Sequence, residues 1–189
     1  MTDSISLSAQ ERSAAVEELE TSRRRLLAGL EGLTEEQWRA RPAPDHWSIA
    51  ECAEHITAAE VPLPKLYKSA IAVEPAPEER SQIRHKDDYV RSVLRDRSRR
   101  DEAPDRLRPK GRFPTREETI RTFQERRDAN LDYLRTTSDS LRDWFAPHPF
   151  AGLIDGYQWI LFLAAHTDRH AAQIEEIRAG FGQDVGGRR

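Results

Sequence analysis

GYQWILFLAAHTDRHAAQIEEIR, residues 156–178, is a run without proline in which Trp159, Leu163, Ile174 and Ile177 repeat at helical spacing. His166 and His170 continue the same register. Residues four apart on a helix lie one turn above each other, so both imidazoles project to one side. The segment reads as a helix over about 155–180, ending near Gly180 and Gly182, with two histidines in the middle of its inward face. With six histidines in the chain, such a pair arises by chance in roughly one sequence in six, so the spacing alone says little. Position says more. Burying one imidazole without a partner costs about 1–3 kcal/mol, and a buried neighbour adds repulsion on protonation. A metal ion removes both penalties; core histidines satisfied by hydrogen bonds are the alternative.

Three further helices are expected around this one. The first, about 8–31, starts after a Ser8 cap and repeats Val16, Leu19, Leu26, Leu27 and Leu30. Next comes LTEEQWRARPAPDHW, where Pro42 and Pro44 forbid continuous helix while Trp38 and Trp47 bring large apolar surface, which predicts a structured connection. Ser48 followed by Glu51 forms a capping-box pattern opening the second helix, whose inward side carries Cys52, His55 or Ile56, Ala59, Leu63 and Leu66. Pro62 and Pro64 predict a kink or an interruption there. The third helix follows a Thr115 cap with Glu118 in the box position, carries Ile120, Phe123, Leu131, Leu134 and Leu141, and is expected to reach about 140. Between the second and third helices, residues 74–114 read as an irregular insertion, with a short helix over about 86–98 on Tyr89, Val90, Val93 and Leu94. APHPFAG reads as a turn, residues 181–189 as a flexible tail, and no strand pattern of useful length appears.

These elements make one all-α domain across 1–189, an up-and-down four-helix bundle with its core over about 8–180. The length suffices to bury one core without disulfides. Thirty basic and 33 acidic residues leave a net charge of −3, too balanced to imply a nucleic-acid or membrane partner. The single cysteine, Cys52, excludes an intramolecular disulfide. MTDSISLSAQERS has neither the basic nor the apolar part of a secretion signal, and no apolar run approaches a membrane span. A reducing cytoplasm is the expected compartment.

His55 is the third candidate ligand, set between Cys52 and Ala59 on the second helix. Three neutral imidazoles suit zinc, nickel, iron or copper and leave coordination positions open, as catalytic sites require. His46, His85 and His148 read as surface residues with no periodic partner. A zincin would place Glu after the first histidine of the pair, but Thr167 stands there. Glu51, one turn before His55, is a candidate for orienting it or shuttling a proton, and equally a structural cap. Asp168 and Arg169 point away from the histidines, and Cys52 reads as a small buried hydrophobe. Arg95, Arg97, Arg99, Arg100, Arg106, Arg108, Lys110 and Arg112 form a basic stretch, but the interleaved Asp96, Asp101, Glu102 and Asp105 favour a solvated face over a polyanion site.

HWSIAECAEHITAAE (46–60) and HTDRHAAQIEEIR (166–178) together resemble the two signature segments of the DinB-like superfamily, which includes YfiT-like proteins. Its pattern of Trp-Ser, an acidic residue and a histidine, then HxxxH and a Gln three residues on, falls on Trp47, Ser48, Glu51, His55, His166, His170 and Gln173. The segment from Ala103 to Phe113 also resembles the connection in one branch of the family. The resemblance implies a four-helix bundle, frequently dimeric, with an open site of one divalent transition metal (Zn, Ni, Fe or Mn) on His55, His166 and His170. It further implies either a metal-dependent hydrolase or a transferase using a low-molecular-weight thiol, acting on a small-molecule substrate. The non-catalytic alternative is a metal-stabilised binding or stress-response protein. The family name refers to DNA-damage induction and does not establish DNA binding.

Overall fold

The computed structural model describes residues 6–69, 73–98, 102–149 and 151–183. Its helices are α1 (Ala9–Leu30), α2 (Glu35–Arg39), α3 (Ile49–Ala59), α4 (Leu63–Ser69), α5 (Pro77–Arg84), α6 (Asp87–Arg95), α7 (Arg116–Thr136) and α8 (Gly156–Gln183). Two strands, β1 (Phe145–His148) and β2 (Gly152–Asp155), pair antiparallel with Phe145 opposite Asp155.

The helix starts follow their local chemistry. Ser8 and Glu11 form a reciprocal capping box on α1, Thr34 and Gln37 on α2, and Ser48 and Glu51 on α3, each satisfying two otherwise orphan donors. On α7, Thr115 Oγ1 accepts from the Glu118 amide at 3.1 Å. Asp155 and Gln158 cap α8 the same way, through Gln158 N to Asp155 Oδ1 at 2.8 Å and Asp155 N to Gln158 Oε1 at 3.1 Å. The second helix is interrupted: α3 stops at Ala59, and Pro62 and Pro64 restart the chain as α4.

The four long helices close around two apolar clusters, one containing Leu19, Leu134, Ile160 and Leu161, the other Leu26, Ile49, Ile56, Phe123 and Ile174. α8 packs against both α1 and α3, and α7 against the same two, so α1 and α3 stand diagonally across the bundle. The connection over 31–48, with its buried Trp38, is long enough to cross that diagonal. This ring order makes α3 and α8 neighbours. Where α8 meets α1, a Cβ on Gly29 would lie 3.3 Å from Ile174 Cγ2, a close approach that favours glycine. α6 covers another side of α8, so Ile160, Leu161, Ala164, Ala165 and Ala171 are buried besides the inward face expected from the sequence.

Several expectations need correction. Residues 74–114 are not uniformly irregular: they contain α5, α6 and a 3₁₀ turn (Asp105–Leu107), because Ile83, Val90 and Leu94 supply a buried face. α7 ends at Thr136 rather than near 140, and Leu141, though buried, belongs to a 3₁₀ turn, Leu141–Asp143. The segment around APHPFAG is a β-hairpin, built by backbone pairing that no alternating pattern announced. Arg99, Arg100, Asp101, Phe150 and the tail from 184 lie outside the described residues.

The sequence also concealed two buried polar networks. Arg127 of α7 is fully buried and pairs with the equally buried Glu60 at the end of α3, at 2.8 and 2.9 Å. Arg142 reaches Glu11, Asp87 and Asp155 at 2.7–3.0 Å, tying α1, α6 and the hairpin together. No helix among the described residues is long and apolar enough to cross a membrane.

Candidate metal centre

His55 comes from the middle of α3, and His166 and His170 from successive turns of α8. Because α3 and α8 are neighbours, one ring nitrogen from each lies within 4.8 Å of the others. The ring centroids form a near-equilateral triangle, 5.0, 4.7 and 4.7 Å on a side, with mutual tilts of 65–82°. His55 and His170 are 3% and 7% exposed; His166 is enclosed too but keeps part of its surface toward a cavity. Trp47 lies 4.9 Å from the His55 ring, and Phe162 stacks on His166 at 5.5 Å with a tilt of 14°.

The outer nitrogens are already committed. His55 Nδ1 lies 2.9 Å from the Leu107 carbonyl oxygen, and His170 Nδ1 lies 2.9 Å from Gln173 Oε1. Both partners are acceptors, so each Nδ1 carries the proton and donates it, leaving the Nε2 lone pairs bare. His55 Nε2 faces His166 Nε2 at 3.1 Å. A tetrahedral ion with metal–nitrogen bonds of about 2.0–2.1 Å requires ligand nitrogens about 3.3 Å apart, close to the His55–His166 spacing, with His170 within 4.8 Å of both.

All three imidazoles are held neutral, the state in which they can ligate. Burial lowers the pKa of His55, against a partial opposing effect of the Leu107 carbonyl. Burial, followed by the proximity of His170 and His55, puts His166 well below its ordinary value, and burial with His55 brings His170 down to about 3. Cys52 is fully buried, and burial pushes its thiol up, so it behaves as a small hydrophobe.

The rings open onto a cavity of about 900 Å³ whose walls include Trp47, Leu66, Leu94, Trp159, Phe162 and Leu163. The 3₁₀ turn closes another side through Pro104, Arg106 and Leu107. His148, expected at the surface, is 6% exposed and packs 4.0 Å from Phe162 and 4.8 Å from Trp159, because the hairpin folds back onto α8. Burial and the charge of Arg106 bring it down to about 4. His46 pairs with Asp45 at 2.9 Å on the cavity rim, while His85 is exposed.

Glu51 makes the contacts of the capping role. Its carboxylate accepts from Ser48 N at 2.9 Å and pairs with Arg41, and the position it would need on His55 is filled by the Leu107 carbonyl. Thr167 points into the core, accepting from Arg127 and donating to Leu163 O, both at 2.9 Å. Asp168 and Arg169 lie at the α6–α8 contact, on Arg95 (3.1 Å) and the Leu94 carbonyl (3.3 Å). The basic stretch is largely internally paired: Arg95 with Glu18 and Asp168, Arg97 with Glu176, Arg108 with Glu102, and Arg112 with Glu54.

The sequence profile described as the DinB superfamily matches residues 18–174. This chain belongs to the DinB superfamily. Trp47, His55 and the His166/His170 pair are thus seen together in a member of that superfamily, around one cavity. The chain is 25% identical over 149 residues to the uncharacterised protein YuaE of Bacillus subtilis (strain 168), covering 79% of this chain and 88% of that one. It is similar in fold to YfiT from Bacillus subtilis, described as a probable metal-dependent hydrolase with an unusual four-helix bundle topology. That similarity has a TM-score of 0.61 at 16% identity, over 94% of this chain and 91% of YfiT.

Proposed function

We propose that this DinB superfamily member is a metal-dependent hydrolase that holds one divalent transition metal on His55, His166 and His170 and takes a small-molecule substrate into the adjoining cavity. The observation that carries this is the commitment of both the His55 and His170 Nδ1 protons to carbonyl oxygens, which leaves two Nε2 lone pairs converging with the third imidazole. A hydrogen bond between His55 Nε2 and His166 Nε2 would satisfy two of the rings without an ion, but His170, 7% exposed with its Nδ1 on Gln173, would still be left beside them, and a metal takes up all three. The description of YfiT supports the same reading.

When bound, a divalent cation supplies Lewis acidity, lowering the pKa of a water molecule toward about 7 or deprotonating a thiol. The chain's own residues do the rest. Three neutral ligands leave the full cationic charge uncompensated, which favours acidity at the open positions. Leu107 and Gln173 fix the ligand rings, and Trp47 and Phe162 limit their rotation. Trp159, Phe162 and Leu163 exclude bulk water from the apolar wall that would receive the substrate.

Elemental analysis of the purified protein should find about one divalent metal per chain, and His166→Ala should abolish it. The metal-loaded protein should cleave members of an ester and amide panel, with activity lost to chelator and regained on metal addition. Absence of metal after reconstitution, or full occupancy in His166→Ala, would refute the site. If the cobalt-substituted protein shows a visible spectrum that changes on adding a low-molecular-weight thiol, with no hydrolysis, the chemistry is transfer instead.

A further inference from the structure

Glu54 precedes His55 on α3, and with 7% of its surface exposed it is a buried carboxylate next to a ligand position. Such a group needs compensation, and the compensation here comes from a single loop. The Glu54 carboxylate accepts the backbone N–H groups of Lys110 at 2.7 Å, Gly111 at 2.8 Å and Arg112 at 3.2 Å, and the Arg112 guanidinium at 2.9 Å. Three consecutive amides converge on one carboxylate where Gly111 takes a φ of +71°, a conformation that favours glycine.

The same guanidinium continues into the turn beside it. Arg112 Nη2 donates to the Arg106 carbonyl and Nη1 to the Arg108 carbonyl, both at 2.7 Å. These two carbonyls flank Leu107. With its neighbours held by Arg112, the Leu107 carbonyl is left facing His55 Nδ1 at 2.9 Å. Hydrogen bonds from Glu54 to Arg112 and from Arg112 to the Arg106 and Arg108 carbonyls, then the backbone of the turn itself, thus connect Glu54 to the carbonyl that holds the His55 ring.

We propose that Glu54 is a positioning residue for the His55 ligand: it pins the 106–112 loop so that the Leu107 carbonyl keeps the imidazole proton on Nδ1 and the Nε2 lone pair on the site. The part that concerns metal affinity rests on the three-histidine reading above; the part that concerns the His55 tautomer does not. Because the same loop contributes Arg106 and Leu107 to the cavity, the clamp also sets one substrate wall.

The test uses Glu54→Gln, which keeps the size but sets an amide NH₂ against N–H donors, and Arg112→Lys, which leaves Glu54 charged but gives up the two-carbonyl grip. Imidazole ¹⁵N spectra of the chelator-treated full chain at pH 7.5 report the tautomers. Wild type should show His55 as the Nδ1–H form alone; both variants should show a mixture, while His170, held by Gln173, stays Nδ1–H. Zinc affinity from chelator competition should fall about 10–100-fold in Glu54→Gln and less in Arg112→Lys. A folded variant in which His55 remains wholly Nδ1–H, with affinity within twofold of wild type, overturns the proposal. Should Glu54→Gln fail to fold, Arg112→Lys decides by the same criteria. If wild type binds no zinc, the metal reading fails, and the tautomer result alone still decides the role of Glu54.

Discussion

Arg127→Met removes a guanidinium from the centre of the bundle, and its cost follows from what is left behind. All five N–H donors of Arg127 are satisfied: two on Glu60 (2.8 and 2.9 Å), and one each on Leu19 O (2.6 Å), Ser22 Oγ (2.9 Å) and Thr167 Oγ1 (2.9 Å). Without them the carboxylate of Glu60, 1% exposed, keeps among the described residues only the Asn130 amide at 2.8 Å. Stranding one member of a buried ion pair costs about 3–5 kcal/mol. For a chain of this length each kcal/mol lowers Tm by about 2–4 °C, so the melting point should fall by about 6–20 °C. Urea unfolding followed by circular dichroism measures the free energy, and the slope should stay unchanged. The double variant Arg127→Met/Glu60→Leu removes the stranded charge and should recover at least about 2 kcal/mol of the loss, because much of the single-variant penalty is desolvation of Glu60. A single-variant cost below about 1 kcal/mol, or a double variant no more stable than the single, would refute the reasoning.

Gln173→Leu removes the acceptor that holds His170 Nδ1–H and should weaken zinc binding about 10–100-fold with Tm of the metal-free protein nearly unchanged; equal affinities in chelator competition would count against the orienting role. His148→Gln addresses pH dependence. His148 accepts from the Ala151 amide at 3.3 Å and is held at about 4 folded, against about 6.5 unfolded, so the unfolded chain takes up its proton first. Its contribution to stability is present above pH 6.5 and is lost as pH falls through 6.5 to 4, about 3 kcal/mol in all. Asp155 has the opposite sign: burial, offset in part by Arg142, raises it to about 6, so acidification through pH 6 favours the folded state. The variant-minus-wild-type difference, measured by urea unfolding with chelator present, isolates the His148 part, and a difference that does not change between pH 7 and 4 would contradict it.

What could be read from the residues alone was local. Ser8, Ser48 and Thr115 announced three helix starts because a cap is a contact between residues three apart, and the periodicity around His166 and His170 placed both on one side of α8 for the same short-range reason. Polar groups gave the wrong impression wherever burial was decided elsewhere: Arg127 sits in a strongly charged stretch, Glu60 just before Pro62 and Pro64, and His148 between two prolines, yet all three are interior.

The sequence by itself determined where the four long helices start, the inward face of α8 and the three candidate imidazoles. Only the tertiary structure decided that α1 and α3 stand diagonally, which sets α3 beside α8 and brings His55 to His166 across 111 residues of chain. It also decided that a backbone carbonyl, Leu107 O, and not the Glu51 side chain, orients His55. A carbonyl exists at every residue and leaves no mark in the sequence. Its role is set by which way a turn faces, and that depends on Arg112 and Glu54 meeting across 58 positions.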